Sequence, residues 1–244
     1  MSGAAGHVAL YALLPLSATA LGAALALLRP PGPRVRSGLQ HFAAGVVFSV
    51  ASVELLPEIV AAHTPGEVAI TFSLGVLLML GLSAVLPQAA VGEAGAAGRT
   101  PLPLTLLAAV GIDVFIDGLL LGIGFALGEH AGRLLALALT LEALSLGLAT
   151  ALVLADTALR RRLAFTIMLG TGLLFLAGGV LGAALLSSVS HHTLSLVLAF
   201  ALAALLYLVT EELLAEAHET PDVPLVTALF FVGFLLFLML GMLE

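Results

Sequence analysis

Cysteine and lysine are absent from this chain, and charge of any kind is scarce: 9% of its 244 residues are Asp, Glu, Lys or Arg. Without cysteine there is no disulfide framework, no thiolate metal site and no cysteine nucleophile, and the redox compartment is left open. Without lysine, all eight cations are arginines. They form no basic helix or patch of the kind that holds nucleic acid, so no nucleic-acid partner is expected. No mid-span serine is paired with a mid-span histidine, so Ser–His–Asp catalysis has no support and the chain does not read as an enzyme. Apolar residues stand where charge is missing. They make up 61% of the chain, with a mean hydropathy of +1.21, whereas soluble domains are about half apolar and a quarter charged. An ordinary water-soluble globule is excluded; the class is an all-α polytopic membrane protein, its surroundings a lipid bilayer.

A helix crosses a bilayer in about 20 apolar residues. Eight such runs are readable, roughly 8–28, 38–60, 67–87, 102–127, 133–155, 163–187, 192–214 and 223–243, and residues 1–244 read as one transmembrane domain. The Gly-, Ala- and Pro-rich connection 88–103 reads as a flexible linker. Arginine placement orients the spans. Arg29, Arg34 and Arg36 fall between the first and second, Arg99 between the third and fourth, and Arg160, Arg161 and Arg162 between the fifth and sixth. Arg133 alone lies on the other side. Cytoplasmic loops carry the positive excess, so both termini are expected outside. The first run lacks a positive segment before it, and Arg29 follows it, so it reads as a transmembrane helix and not as a signal peptide. The expected location is the cell membrane, read as a bacterial inner membrane.

Three acids stand near the middle of a span: Asp113 and Asp117 in the fourth and Glu142 in the fifth. A charged Asp at a helix centre costs about 2.5–3.5 kcal/mol on insertion scales, which makes such residues functional candidates. Asp113 and Asp117 are four apart, hence on one helix face, one turn from each other. Like charges that close need a proton, a cation or water. With no lysine and no mid-span arginine, protons or a metal ion are left. Gly111, Gly118, Gly122 and Gly124 surround the pair, and small residues let helices approach closely. That would allow Glu142 to face the aspartates and complete an oxygen-rich site for a hard cation. The alternative is protonated acids hydrogen-bonded between helices. Glu54 and Glu58 lie near the outer end of the second span, where Pro57 is expected to bend the helix. Glu211, Glu212, Glu216 and His218 lie at the inner end of the seventh. Together the three groups describe a cation path, or at the two ends an ordinary acidic rim. His41 reads as interfacial, His191 and His192 as an outer pair able to capture a cation, and His63 and His130 as solvated loop residues. Phe230, Phe231, Phe234 and Phe237 of the last span read as facing lipid or another subunit.

Four phrases, in order and in matching spans, resemble the ZIP (Zrt- and Irt-like) family of metal-ion transporters. HFAAGVVFSVASVELLPE at 41–58 is similar to that family's second span, which often ends in HLLPE. DVFIDG at 113–118 stands where the family carries H-N-x-x-[ED]-G, and LEALS at 141–145 where it carries H-[END]-x-P-[EH]. LYLVTEELLAE at 206–216 is similar to its seventh span. The resemblance covers nearly the whole chain. It implies eight spans with both termini outside, the longest connection between spans three and four, a dimer, and a divalent metal cation as substrate, with no resident cofactor. It places Asp117 at the family's central carboxylate, Asp113 where histidine is usual, and Glu142 at an accepted position. Val114, Leu141 and Ser145 replace residues that would ligate, Leu144 replaces a proline, and the sixth span has no acid, so a second-ion site is lost. The connection 88–103 lacks the histidines of many relatives. The resemblance implies zinc, while three carboxylates without imidazole suit Mn or Fe(II) better. Two other functions fit the same acids: a proton-coupled carrier of an organic solute, and a membrane protein that binds metal without transporting it.

Overall fold

The computed structural model describes residues 2–85, 104–155, 157, 159–186, 189–219 and 223–243. The connection 88–103, with Arg99, lies outside them. Among the described residues there is no strand, and eight helices are long and apolar enough to cross a membrane. They are α1 (Ser2–Leu28), α2 (Pro33–Ala61), α3 (Pro65–Val85), α4 (Leu104–Leu127), α5 (Glu129–Ala155), α6 (Arg161–Leu186), α7 (His191–Ala217) and α8 (Pro224–Met242). Each overlies one of the expected apolar runs. Several extend past it, because a polar turn outside lipid can stay helical while contributing nothing to hydropathy. Pro33, Pro65 and Pro224 open α2, α3 and α8, where the missing N–H is no loss and the fixed φ suits the first turn. Ser190 caps α7 by accepting from the Thr193 N–H at 3.2 Å.

Two helices contain a wider turn that the sequence pattern did not reveal. Ala51–Leu55 in α2 and Leu208–Leu213 in α7 wind as π-helix. In α2 the cause is Pro57, which has no N–H for the Val53 carbonyl and whose ring crowds it; the preceding turn widens. No proline stands in Leu208–Leu213. Each π turn carries acids, Glu54 in the first and Glu211 and Glu212 in the second.

Helices α2, α5 and α7 form the interior, with 56%, 61% and 61% of their apolar stretches buried. In α3 and α8 only 11% is buried, and leucines such as Leu77 and Leu235 are exposed. Such a surface is stable against lipid and not against water. Helix α1 packs on α5 and α6, α4 on α6 and α5, α2 on α8, and α3 on α7. The outward reading of the last helix needs correction. Phe231 does face out, but Phe237 is buried, and Phe230 and Phe234 pack against Phe48 of α2 at 6.1 and 6.0 Å between ring centroids. Tilted aromatic contacts of this length help to hold α8 to α2.

Candidate metal centre

Asp113 and Asp117 stand one turn apart on α4, and Glu142 comes from α5. They are 8%, 3% and 2% exposed. Each offers a carboxylate oxygen, and the three oxygens lie within 4.8 Å of one another. Oδ1 of Asp113, Oδ1 of Asp117 and Oε2 of Glu142 are fully buried with no hydrogen-bond partner. A buried polar group left bare costs about 1–3 kcal/mol, more if charged. Three carboxyl groups this close together, each with a bare buried oxygen, form an arrangement that a cation, or shared protons, would complete.

The glycines around the pair position α4, though not as the sequence suggested. Gly118 and Gly122 face α6, not α5: a Cβ on Gly118 would collide with the Phe175 carbonyl oxygen, and one on Gly122 would lie 2.5 Å from the Ala183 nitrogen. Across the seam, a Cβ on Gly178 would strike the Phe115 carbonyl oxygen. Gly111 also faces α6, at Leu174; of the four, Gly124 is the one facing α5, at Leu135. The aspartates thus sit on a helix laid backbone to backbone against α6, while Glu142 approaches from another side.

A cavity of 220 Å³ runs from Asp113 along α7, lined by Glu211, Glu212, Glu216, Glu219, Tyr207 and apolar residues of α3, α4 and α5. Glu212 comes close enough to interact electrostatically with Asp113, Asp117 and Glu142. Sequence reasoning put it at the helix end with Glu216. It stands in the π turn Leu208–Leu213, and no residue periodicity signals that turn. Glu216 meets Arg36 of α2 at 3.8 Å.

His218 does not line the cavity. Its ring lies 5.1 Å from that of His41, with Nδ1 at 2.5 Å from the Leu214 carbonyl oxygen. His41 is 1% exposed: Nδ1 donates to the Ser37 carbonyl at 2.8 Å, and Nε2 is buried with no hydrogen-bond partner. The Ser37 hydroxyl donates to the Ala217 carbonyl at 2.8 Å, tying α2 to the last turn of α7. Ser37→Ala is expected to remove about 1 kcal/mol and lower the thermal midpoint in detergent by about 2–4 °C; an unchanged midpoint would mean the tie carries no load.

The acids of α2 lie at the opposite end, each beside a histidine. Glu54 is 3.5 Å from His130, which corrects that residue's reading as merely solvated, and Glu58 is 3.9 Å from His191. Glu67, a residue not singled out from sequence, is 3.0 Å from His192. These imidazole–carboxylate contacts gather the ends of α2, α3, α5 and α7. They do not join the buried group formed by Asp113, Asp117 and Glu142.

The sequence matches no protein-family model and no curated protein.

Proposed function

We propose that this protein is a ZIP-type transporter that moves a divalent metal cation across the cell membrane into the cytoplasm. The observation that carries the reading is the convergence of Asp113, Asp117 and Glu142 on one buried volume, with bare oxygens, at the head of an acidic cavity. Three carboxylates cost too much in lipid to be kept for packing alone, and among the described residues no arginine is paired with them. The order of the motifs along the chain supports the same class. With the arginine-rich end in the cytoplasm, both termini are outside, and the cavity leads from the carboxylates to the inner surface. Glu54 and Glu58 then attract the ion at the outer mouth, and Glu211, Glu212 and Glu216, which line the cavity, receive it inside. Alternating access comes from one helix group rocking against the other around the fixed site. Zinc follows from the resemblance; an all-oxygen donor set favours Mn or Fe(II). A homodimer in a bacterial inner membrane belongs to the same proposal.

The test is flux into proteoliposomes loaded with a metal-sensitive dye, with Zn, Mn, Fe(II), Co and Cd presented in turn. The expected result is uptake of at least one ion, reduced at least about 100-fold by Asp117→Asn. Metal binding without flux would make the chain a non-transporting metal binder. Flux of an organic solute driven by pH and indifferent to metal would make the acids a proton relay.

A further inference from the structure

The arginine-rich end of the bundle holds a second cavity, of 350 Å³. Its apolar wall comes from the last turns of α1 and α5, with leucines such as Leu28 and Leu152. Its polar side comes from Arg36, in the first turns of α2, and Arg161, the first residue of α6. No acid lines it among the described residues. The cavity lies where four helices end, the depth at which a bilayer's headgroups meet its acyl chains.

Both guanidiniums have capacity to spare. Arg36 touches Glu216 through one 3.8 Å contact, longer than a hydrogen bond, and its Nε is buried with no hydrogen-bond partner. A guanidinium offers five donors in a fork that matches phosphate oxygens. Arg161 opens a helix of 26 residues, whose first N–H groups and positive end add to its charge. Arg29, Arg34, Arg160 and Arg162 flank the same turns in sequence. Leucines on one side and guanidiniums on the other suit a ligand with an anionic head and apolar chains, not a free anion.

We propose that this cavity binds the phosphate headgroup of an anionic phospholipid between Arg36 and Arg161, with its acyl chains along the leucines of α1 and α5. Basic pockets between transmembrane helices take such headgroups. Arg36 also touches Glu216, which lines the acidic cavity. The headgroup and Glu216 therefore compete for one guanidinium, and lipid occupancy reaches the acidic path through that residue.

The experiment is a native mass-spectrometric titration of the purified full chain in neutral detergent. Phosphatidylglycerol and phosphatidylcholine with the same acyl chains are the probes. The parent is expected to prefer phosphatidylglycerol about 30-fold, from roughly fivefold per guanidinium. Arg161→Gln should cut the preference about fivefold, and Arg36→Gln with Arg161→Gln should abolish it. Arg160→Gln with Arg162→Gln, outside the lining, should change it less than about threefold. Thermal melts in phosphatidylcholine check that each variant folds; if the Arg36 variant does not, Arg161→Gln alone decides. Equal binding of the two lipids, or a preference kept by the double variant, would overturn the proposal. So would displacement of phosphatidylglycerol by inorganic phosphate but not by chloride at equal ionic strength, which would mark a soluble-anion site. None of these readouts depends on metal transport.

Discussion

If the carboxylates hold a divalent metal as proposed, the metal will stabilise the purified protein against heat, and Asp117→Asn combined with Glu142→Gln will abolish that stabilisation. A ligand bound only to the folded state at 100 times its Kd stabilises by about 2.7 kcal/mol. For a chain of this size that is roughly 5–10 °C in the midpoint. Two of the three converging carboxylates become neutral amides of nearly the same shape, so the ion loses most of its compensating charge. In chelator the variant should be no less stable than the parent, because the exchange removes buried like charges and keeps the volume. That contrast separates loss of a site from loss of the fold. An equal metal-induced shift in the variant would put the ion elsewhere, among the histidine–carboxylate contacts at Glu54, Glu58 and Glu67.

Gly118→Ala will destabilise the fold and disturb the carboxylate group with it. The new Cβ would meet the Phe175 carbonyl oxygen, a backbone atom that cannot rotate aside. Helix α4 must back away from α6, and Asp117, the preceding residue, moves with it. Overpacking of this kind costs about 1–3 kcal/mol, or roughly 3–10 °C, and metal-dependent stabilisation should fall with it. Gly178→Ala makes the reciprocal clash with Phe115, so the two changes together should cost less than their sum. Gly170→Ala, on the same helix α6, is the control. Nothing lies within 4 Å of its Cβ, so stability should stay level or rise by up to about 1 kcal/mol. Equal effects at Gly118 and Gly170 would contradict the close approach of α4 and α6.

The eight helices were legible because lipid demands about 20 apolar residues in a row, and that demand leaves little room for ambiguity. The buried group was legible for a related reason: Asp113, Asp117 and Glu142 interrupt runs where a carboxylate has no cheap place. Which side of each helix faces a neighbour was not. A helix that is apolar all round has no polar face to mark its orientation, so Gly118 and Gly122 could be assigned to close packing but not to α6. Glu212 was legible as one acid of a cluster at the inner end of the seventh span, but not its electrostatic reach to the buried carboxylates, nor the π turn in which it stands. The burial of His41 and the approach of His130 to Glu54 depend on contacts between α2 and helices distant in sequence. Neither residue type nor spacing encodes those contacts.

Anomalous diffraction from crystals grown with Mn(II) tests the central claim most directly. The expected result is a peak about 2.0–2.3 Å from oxygens of Asp113, Asp117 and Glu142 at once, absent from crystals of the Asp117→Asn, Glu142→Gln protein. Density there that carries no anomalous signal in Mn(II) or in Zn(II), with the three carboxyl groups hydrogen-bonded to one another, would contradict it and leave the acids as a proton site.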